Sequence, residues 1–450
     1  MQTPSSAAAP ATADGYLFGR GPAWFAFAMS LALMVVDYVD RQIVVSLFPF
    51  IKREWGLSDT QLGSLVSVVS LTVGLGSLPV ALFADRVSRV KCIAAMAALW
   101  SLATISCMWT RNFTQLLAAR ALVGVGEAGY GSVGAAVIAS HFPVRMRGAL
   151  LAGFFAAASV GSVLGVMLGG AIAARWGWQA AFGVLGLPGL VLALVYLKVR
   201  DYPTVQLTPV LDRATRSPGE VALHIVRALA RSPTMLWVCI GGAAQLVVVS
   251  AVWSWLPSFL NRVHGLAPER AAVVAALVVL GGAAGSVLWG AVVDRAGKRR
   301  PARKLHAMAV LCLLSLALLV AAFGVHSWLP AAPSWLQLAL VAAGGFVMTC
   351  TVGPVSAVVI DVVHPGVRAT GASVLALFQN LFGLALGPVV AGLLSDAFGL
   401  EAALTAVPLF SLPAALAMVL AARTYQDDAE RASAPPQAPV NPAAQPATAP

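Results

Sequence analysis

Apolar positions in this chain form long unbroken runs, not the alternation of a half-buried strand. Crossing a bilayer takes about 20 mostly apolar residues, and twelve runs are long enough. They lie at roughly 24–49, 60–84, 91–110, 114–140, 148–173 and 179–198, then 235–260, 270–293, 305–325, 334–361, 370–395 and 402–422. The alternating segments of about ten residues that mark a transmembrane β-barrel do not occur. The pattern predicts an all-α polytopic membrane protein with twelve transmembrane helices. Two six-helix bundles are expected, over 23–198 and 234–423, joined by a polar linker at 199–233. Residues 1–22 and 424–450, rich in Ala and Pro, are expected to be disordered. The first run carries charges and lacks an Ala-x-Ala site, so it reads as an uncleaved span.

The linker holds one helical signal. Ser217-Pro218-Gly219-Glu220 has a capping-box pattern with Pro at the first helical position. Val221, Leu223, Ile225, Val226 and Leu229 follow, with Arg227 and Arg231 four apart. A helix lying on the inner leaflet and a plain connecting helix both fit this stretch.

The two halves repeat. Ala81-Leu82-Phe83-Ala84-Asp85-Arg86-Val87-Ser88-Arg89 follows the second run, and Gly290-Ala291-Val292-Val293-Asp294-Arg295-Ala296-Gly297-Lys298 follows the eighth. Arg147-Gly148-Ala149 before the fifth run is echoed by Arg368-Ala369-Thr370-Gly371 before the eleventh. Gly161-x3-Gly165-x3-Gly169 in the fifth parallels Gly383-x3-Gly387 in the eleventh. This is a 6+6 pseudo-symmetric chain repeated about the membrane normal. A carboxylate at a helix end pairs with basic groups and helix N-termini. Asp85, Arg86, Arg89, Asp294, Arg295, Lys298 and Arg368 are therefore expected to form a conformational latch. Asp361 is expected to join it by pairing with Arg295 or Lys298.

Composition agrees with the pattern. The chain is 59% hydrophobic and 10% charged, against about 25% charged in soluble domains. Soluble enzymes, secreted disulfide scaffolds and nucleic-acid readers are excluded. The net charge of +11 sets topology. With both termini in the cytoplasm, 21 of the 29 Lys and Arg fall in inner segments and six in outer loops. The chain is expected to be an integral, multi-pass protein of the inner (plasma) membrane. The five cysteines and six histidines show no metal-ligand spacing, so neither metal nor cofactor is expected.

The double Gly-x-x-x-Asp-Arg-x-Gly-basic motif and the 6+6 layout resemble the major facilitator superfamily, over about 20–425. The first copy has Ala81 and Ser88 where glycines are usual. Further stretches are similar to the spinster-like branch, which is related to lysolipid and sphingolipid transporters. They are Asp40-Arg41, Gly56-Leu57-Ser58-Asp59-Thr60-Gln61, Ala84-Asp85-Arg86-Val87-Ser88-Arg89 and Arg120-Ala121-Leu122-Val123-Gly124-Val125-Gly126-Glu127-Ala128. Asp-Arg in the first span and Glu-Ala in the fourth also occur in anion:cation symporters.

Ionisable groups inside a bilayer cost at least about 2.5 kcal/mol each on insertion scales, and mark function by default. Asp37, Asp40 and Arg41 lie in the first run, Arg120 and Glu127 in the fourth. Asp37 and Arg41 share a helix face, as do Arg120 and Glu127. The arginines are expected about 6–10 Å further out than Asp37 and Glu127. Three acids against two bases leave one acid over, and such a group can carry a proton near neutral pH. Glu127 is expected to be that carrier, with Asp40 and Arg41 as the exchangeable pair; the spinster resemblance implies the same roles. The second half has no mid-membrane charge. Gln245, Trp253, Trp255, Thr349, Thr351, Gln379 and Asn380 are its cavity candidates, with Tyr38 and Tyr130 in the first half.

No Gly-x4-Gly-Lys-Ser/Thr loop supplies an ATP engine, and no Gly-x-Ser-x-Gly motif or His/Asp cluster supports a membrane enzyme. The buried charges argue against a non-transporting sensor. The expected function is secondary active, proton-coupled transport by alternating access of an amphipathic or lysolipid-like substrate. Symport of small organic anions is the alternative, and drug or metabolite export stands behind both. Val166 replaces the proline of the exporter motif in the fifth span. Expected partners are protons, the organic substrate and membrane lipids, with no nucleic acid; the chain is expected to act as a monomer.

Overall fold

In hydrocarbon, backbone N–H and C=O groups must pair within their own segment, which a helix achieves. The computed structural model describes residues 15–202, 232–298, 300–363 and 368–433, and its spans are helical, with breaks in spans 4 and 10. Spans 1 to 3 run Arg20–Trp55, Asp59–Arg86 and Arg89–Ser106. Span 4 is divided into Phe113–Glu127 and Tyr130–His141. Spans 5 and 6 are Val144–Trp176 and Trp178–Tyr196. Spans 7 to 9 are Pro233–His264, Pro268–Gly297 and Arg303–Trp328. Span 10 is divided into Ser334–Val347 and Pro354–Val362. Span 11 comprises Arg368–Phe378, a π-helical turn at Gln379–Leu384, and Leu386–Phe398. Span 12 comprises Leu400–Ala406, a 3-10 turn at Val407–Phe410, and Ser411–Ser433. Each predicted run coincides with a helical span, with ends within six residues except in span 12, which continues to Ser433.

Local chemistry sets the ends. Gly56 closes span 1 in the left-handed conformation at φ 63°. Ser58 then opens span 2 with a capping box, accepting from the Gln61 N–H while the Gln61 side chain accepts from its own N–H.

Span 5 lies along span 1 through small residues. A Cβ on Gly165 would stand 2.7 Å from the Val39 carbonyl oxygen and 3.1 Å from Gln42 Cβ. Such residues let membrane helices approach closely where lipid provides no hydrophobic drive. The two halves meet toward the end that carries the span 1–2 turn. There Phe48 of span 1 packs against Trp255 of span 7, the rings tilted at 51° with centroids 5.1 Å apart. On the far side, a Cβ on Gly170 of span 5 would approach Ala272 of span 8 to 2.8 Å.

Two expectations change here. Residues 424–433 are helical, not disordered. Asp428 Oδ2 accepts from Ser232 Oγ at 3.0 Å and the Thr234 N–H at 2.9 Å, so the last helix caps the start of span 7. Asp361 pairs with Lys304 Nζ at 3.3 Å and accepts from Tyr425 Oη at 2.9 Å, not with Arg295 or Lys298. Lys304 opens span 9 beside it and Tyr425 comes from the extended last helix, whereas Asp294, Arg295 and Lys298 are exposed. The helix expected around 217–232 lies outside the described residues apart from Ser232, as do 1–14 and 434–450.

Gly165→Leu is expected to destabilise the first bundle, since overpacking costs about 1–3 kcal/mol. An unchanged thermal midpoint in detergent would refute the tight span 1–span 5 contact.

Candidate functional site

At mid-depth the first bundle gathers five charged side chains from spans 1 and 4. Arg41 is the centre. Its Nε lies 3.0 Å from Glu127 Oε2 and 3.6 Å from Asp37 Oδ2. Its guanidinium carbon sits 5.3 Å from the centroid of the Tyr38 ring, a cation–π contact. The Arg41 side chain is 17% exposed, while those of Asp37 and Glu127 are 4% and 0%. Arg41 is therefore the most accessible member of the triad.

Span 4 places Glu127 by breaking behind it. Glu127 ends the first helical piece, Ala128 leaves the helix at ψ 122°, and Gly129 turns at φ 84°. A side chain is strained at that φ, so glycine is required. Gly126 has the backbone of Trp100 where a Cβ would stand, at 2.6 Å from its N, so span 4 lies directly on span 3. Irregular backbone at membrane depth is tolerated only where protein buries it or a cavity is lined.

Asp40 does not share the triad. Neighbouring residues of a helix point about 100° apart, and Asp40 faces the bundle interior. It is fully buried, and among the described residues neither carboxylate oxygen has a hydrogen-bond partner at normal hydrogen-bond distance. Thr104 of span 3 stands beside it. Arg120, also fully buried, reaches carbonyls and forms no ion pair with the acids. It donates to the backbone oxygens of Asp40 at 2.9 Å, Leu65 at 3.3 Å and Arg41 at 3.4 Å. It thereby ties span 4 to spans 1 and 2 at the charged turn. The expected Asp40–Arg41 pair is replaced by an Asp37–Arg41–Glu127 triad with Asp40 set apart.

The cavity candidates divide. Tyr38 lies under Arg41. Tyr130 is buried in the bundle, its hydroxyl donating to the Ser30 carbonyl at 2.6 Å. Gln245 is buried likewise, donating to Met348 O at 3.0 Å and Ser315 Oγ at 3.4 Å. These two brace helices and do not line a cavity; their facing partners are invisible in sequence. Trp253 is half-buried, its ring edge against Gly282. Gln379 and Asn380 are half-buried on the π-turn of span 11, whose Gly383 carbonyl accepts from Ser250 Oγ at 3.1 Å. Thr349 and Thr351 are buried at the break of span 10, the counterpart of span 4 in the second half. Among the latch candidates, Arg89 donates to Tyr202 Oη at 3.1 Å within its own half. The side chains of Asp85, Arg86 and Arg368 lie outside the described residues.

A second charged group closes the span 1–2 end. Asp59 Oδ2 is 2.7 Å from Arg262 Nη1 and accepts from Ser395 Oγ at 2.5 Å, while Oδ1 lies 2.5 Å from Lys52 Nζ. Asp396 accepts from the backbone of Asp59 and Thr60. A cavity of about 580 Å³ opens over this clasp. Sequence reading counted Lys52 and Arg262 only as outer-loop charge; the Ser58-Asp59-Thr60-Gln61 turn was the available signal.

Two six-helix bundles, clasped at one end and carrying ion pairs at mid-depth, define a membrane transporter rather than an enzyme. The model of the Major Facilitator Superfamily matches residues 30–381, and the chain belongs to that family. A probable L-galactonate transporter of Escherichia coli is 30% identical over 58% of this chain and 59% of its own. A gallate transporter of Pseudomonas putida is 26% identical over 88% of this chain and 91% of its own. Among solved structures, a bacterial homolog of the human lysosomal transporter Spinster, inward-facing and unoccupied, superposes with a TM-score of 0.80 at 24% identity. It covers 91% of this chain and 99% of its own. The spinster-like resemblance of the motifs thus has a structural counterpart in the fold.

Arg120→Ala is expected to destabilise the bundle by about 1–3 kcal/mol, because its hydrogen bonds to three carbonyls vanish. Asp40→Asn keeps the shape and is expected to leave the thermal midpoint unchanged or higher. The reverse order of midpoints would overturn this division of roles.

Proposed function

We propose that the chain is a proton-coupled secondary transporter that works by alternating access and carries an amphipathic organic anion, lysolipid-like in the first instance. The observation that carries this reading is Arg41, a partly exposed cation held by two buried carboxylates. With all five groups ionised the cluster bears one negative charge. A proton on Glu127 removes one holder of Arg41, and the guanidinium is then free to take a substrate anion. Asp40, buried and outside the triad, is a second place where a proton can rest. By the Lys/Arg bias the clasp end faces outward and both termini lie in the cytoplasm of an inner membrane. On that orientation the structure is closed at its outer end. The apolar and aromatic second half suits the body of an amphipathic substrate.

Symport of small organic acids is the second reading. The relatives named for gallate and L-galactonate favour it, the former over most of both chains. Proton uptake by the purified, reconstituted protein, offered lysolipids, gallate and sugar acids in turn, separates the two. A response to lysolipid supports the first; a response to small acids alone supports the second. No proton movement with any of them would overturn proton coupling.

Glu127→Gln is expected to abolish proton-driven accumulation while leaving substrate exchange partly intact. Wild-type pH dependence in that variant would refute the carrier role. Arg41→Ala is expected to lose transport while keeping its fold by thermal melting; retained turnover would make the triad structural.

A further inference from the structure

We propose that Asp396 is the latch of the outer gate, acting as a helix cap supplied by one half of the protein to the other. The proposal rests on the alternating-access reading above. The first turn of a helix leaves backbone N–H groups without partners. In span 2, Ser58 takes the Gln61 N–H at 3.1 Å. The Asp59 and Thr60 N–H groups instead donate to Asp396 Oδ1 and Oδ2, both at 2.8 Å, and Thr60 Oγ1 donates to Oδ2 at 2.6 Å. Asp396 sits near the end of span 11, so the cap of a first-half helix is completed by the second half. A carboxylate there also meets the positive end of the helix dipole.

The ion pair beside it behaves differently when the halves part. Asp59 loses Arg262 and Ser395 but keeps Lys52, which belongs to its own half. The Asp59 and Thr60 N–H groups lose their acceptor to water. Removal of Asp396 therefore acts on the closed state alone.

The backbone beneath the cap points the same way. A Cβ on Gly392 would stand 2.5 Å from the Asp59 carbonyl oxygen and 3.0 Å from Thr60 Cα. A Cβ on Gly63 would run into the Pro388 carbonyl and approach Val389 Cα to 3.2 Å. These atoms belong to the opposite half. Spans 2 and 11 thus close backbone to backbone, and Asp396 can reach the end of span 2 only because they do. A methyl group at either glycine wedges the closed seam without disturbing the packing of its own bundle.

The test uses the full chain in liposomes with spin labels at Arg111→Cys and Ser334→Cys, exposed positions of the two halves at the clasp end. The five native cysteines are buried. Distances between the labels report the open and closed populations. Asp396→Ala is expected to raise the open-to-closed ratio about tenfold, the range of a lost helix cap. Asp396→Asn, which keeps one acceptor, is expected to fall between. Gly63→Ala and Gly392→Ala should open the gate too, whereas Gly281→Ala, whose Cβ would meet nothing within 4 Å, should not. Unchanged distances in folded Asp396→Ala and Asp396→Asn would overturn the latch. A wild-type chain fixed in one state at every pH and with every substrate would overturn alternating access, and the latch with it.

Discussion

A guanidinium at the centre of a membrane protein must be neutralised by its surroundings, and Arg41 is neutralised by two carboxylates at once. Its position dictates much of the first bundle. Asp37 lies one turn back on the same helix. Glu127 comes from a span that has to break just beyond it. Span 4 in turn must lie directly on span 3, which Gly126 permits. Arg120 then anchors the charged turn of span 1 through backbone carbonyls, leaving Asp40 shielded and unpaired. Shared holding of one cation differs from two separate ion pairs, because removing either acid's charge weakens the hold without abandoning the site.

The second bundle answers this polarity with near-absence of charge at the same depth. Its contribution is irregular backbone: the break in span 10 and the π-turn in span 11. Breaks in the fourth span of each half fall at related places, as the internal repeat requires. The repeat is thus one of architecture, while the chemistry of the two halves has diverged.

Cross-half contact follows another logic. At the clasp end the cations Lys52 and Arg262 are partly exposed while Asp59 between them is buried, so water can reach the cationic side of the pair first. Spans 2 and 11 approach through glycines, giving close packing without long interlocking side chains. The span 2–span 11 seam can open and shut, while the buried Phe48–Trp255 contact between the halves is the part of this interface that resists separation. Membership of a transporter superfamily is consistent with a seam of this type.

Length and apolarity alone determined the twelve spans, because a bilayer accepts few alternatives to long helices. The internal repeat determined the 6+6 arrangement, and the cost of burying charge marked Asp37, Asp40, Arg41, Arg120 and Glu127. Tertiary structure decided how those five divide. Residues 40 and 41 adjoin in sequence but diverge in space, so sequence paired Asp40 with Arg41 where geometry pairs Arg41 with Asp37 and Glu127. Only the fold shows that Tyr130 and Gln245 face their own bundles, since a polar residue within an apolar run carries no sign of the face it occupies. Only the fold joins Asp59 and Asp396, more than three hundred residues apart, because a contact between halves depends on helix ends that no local pattern brings together.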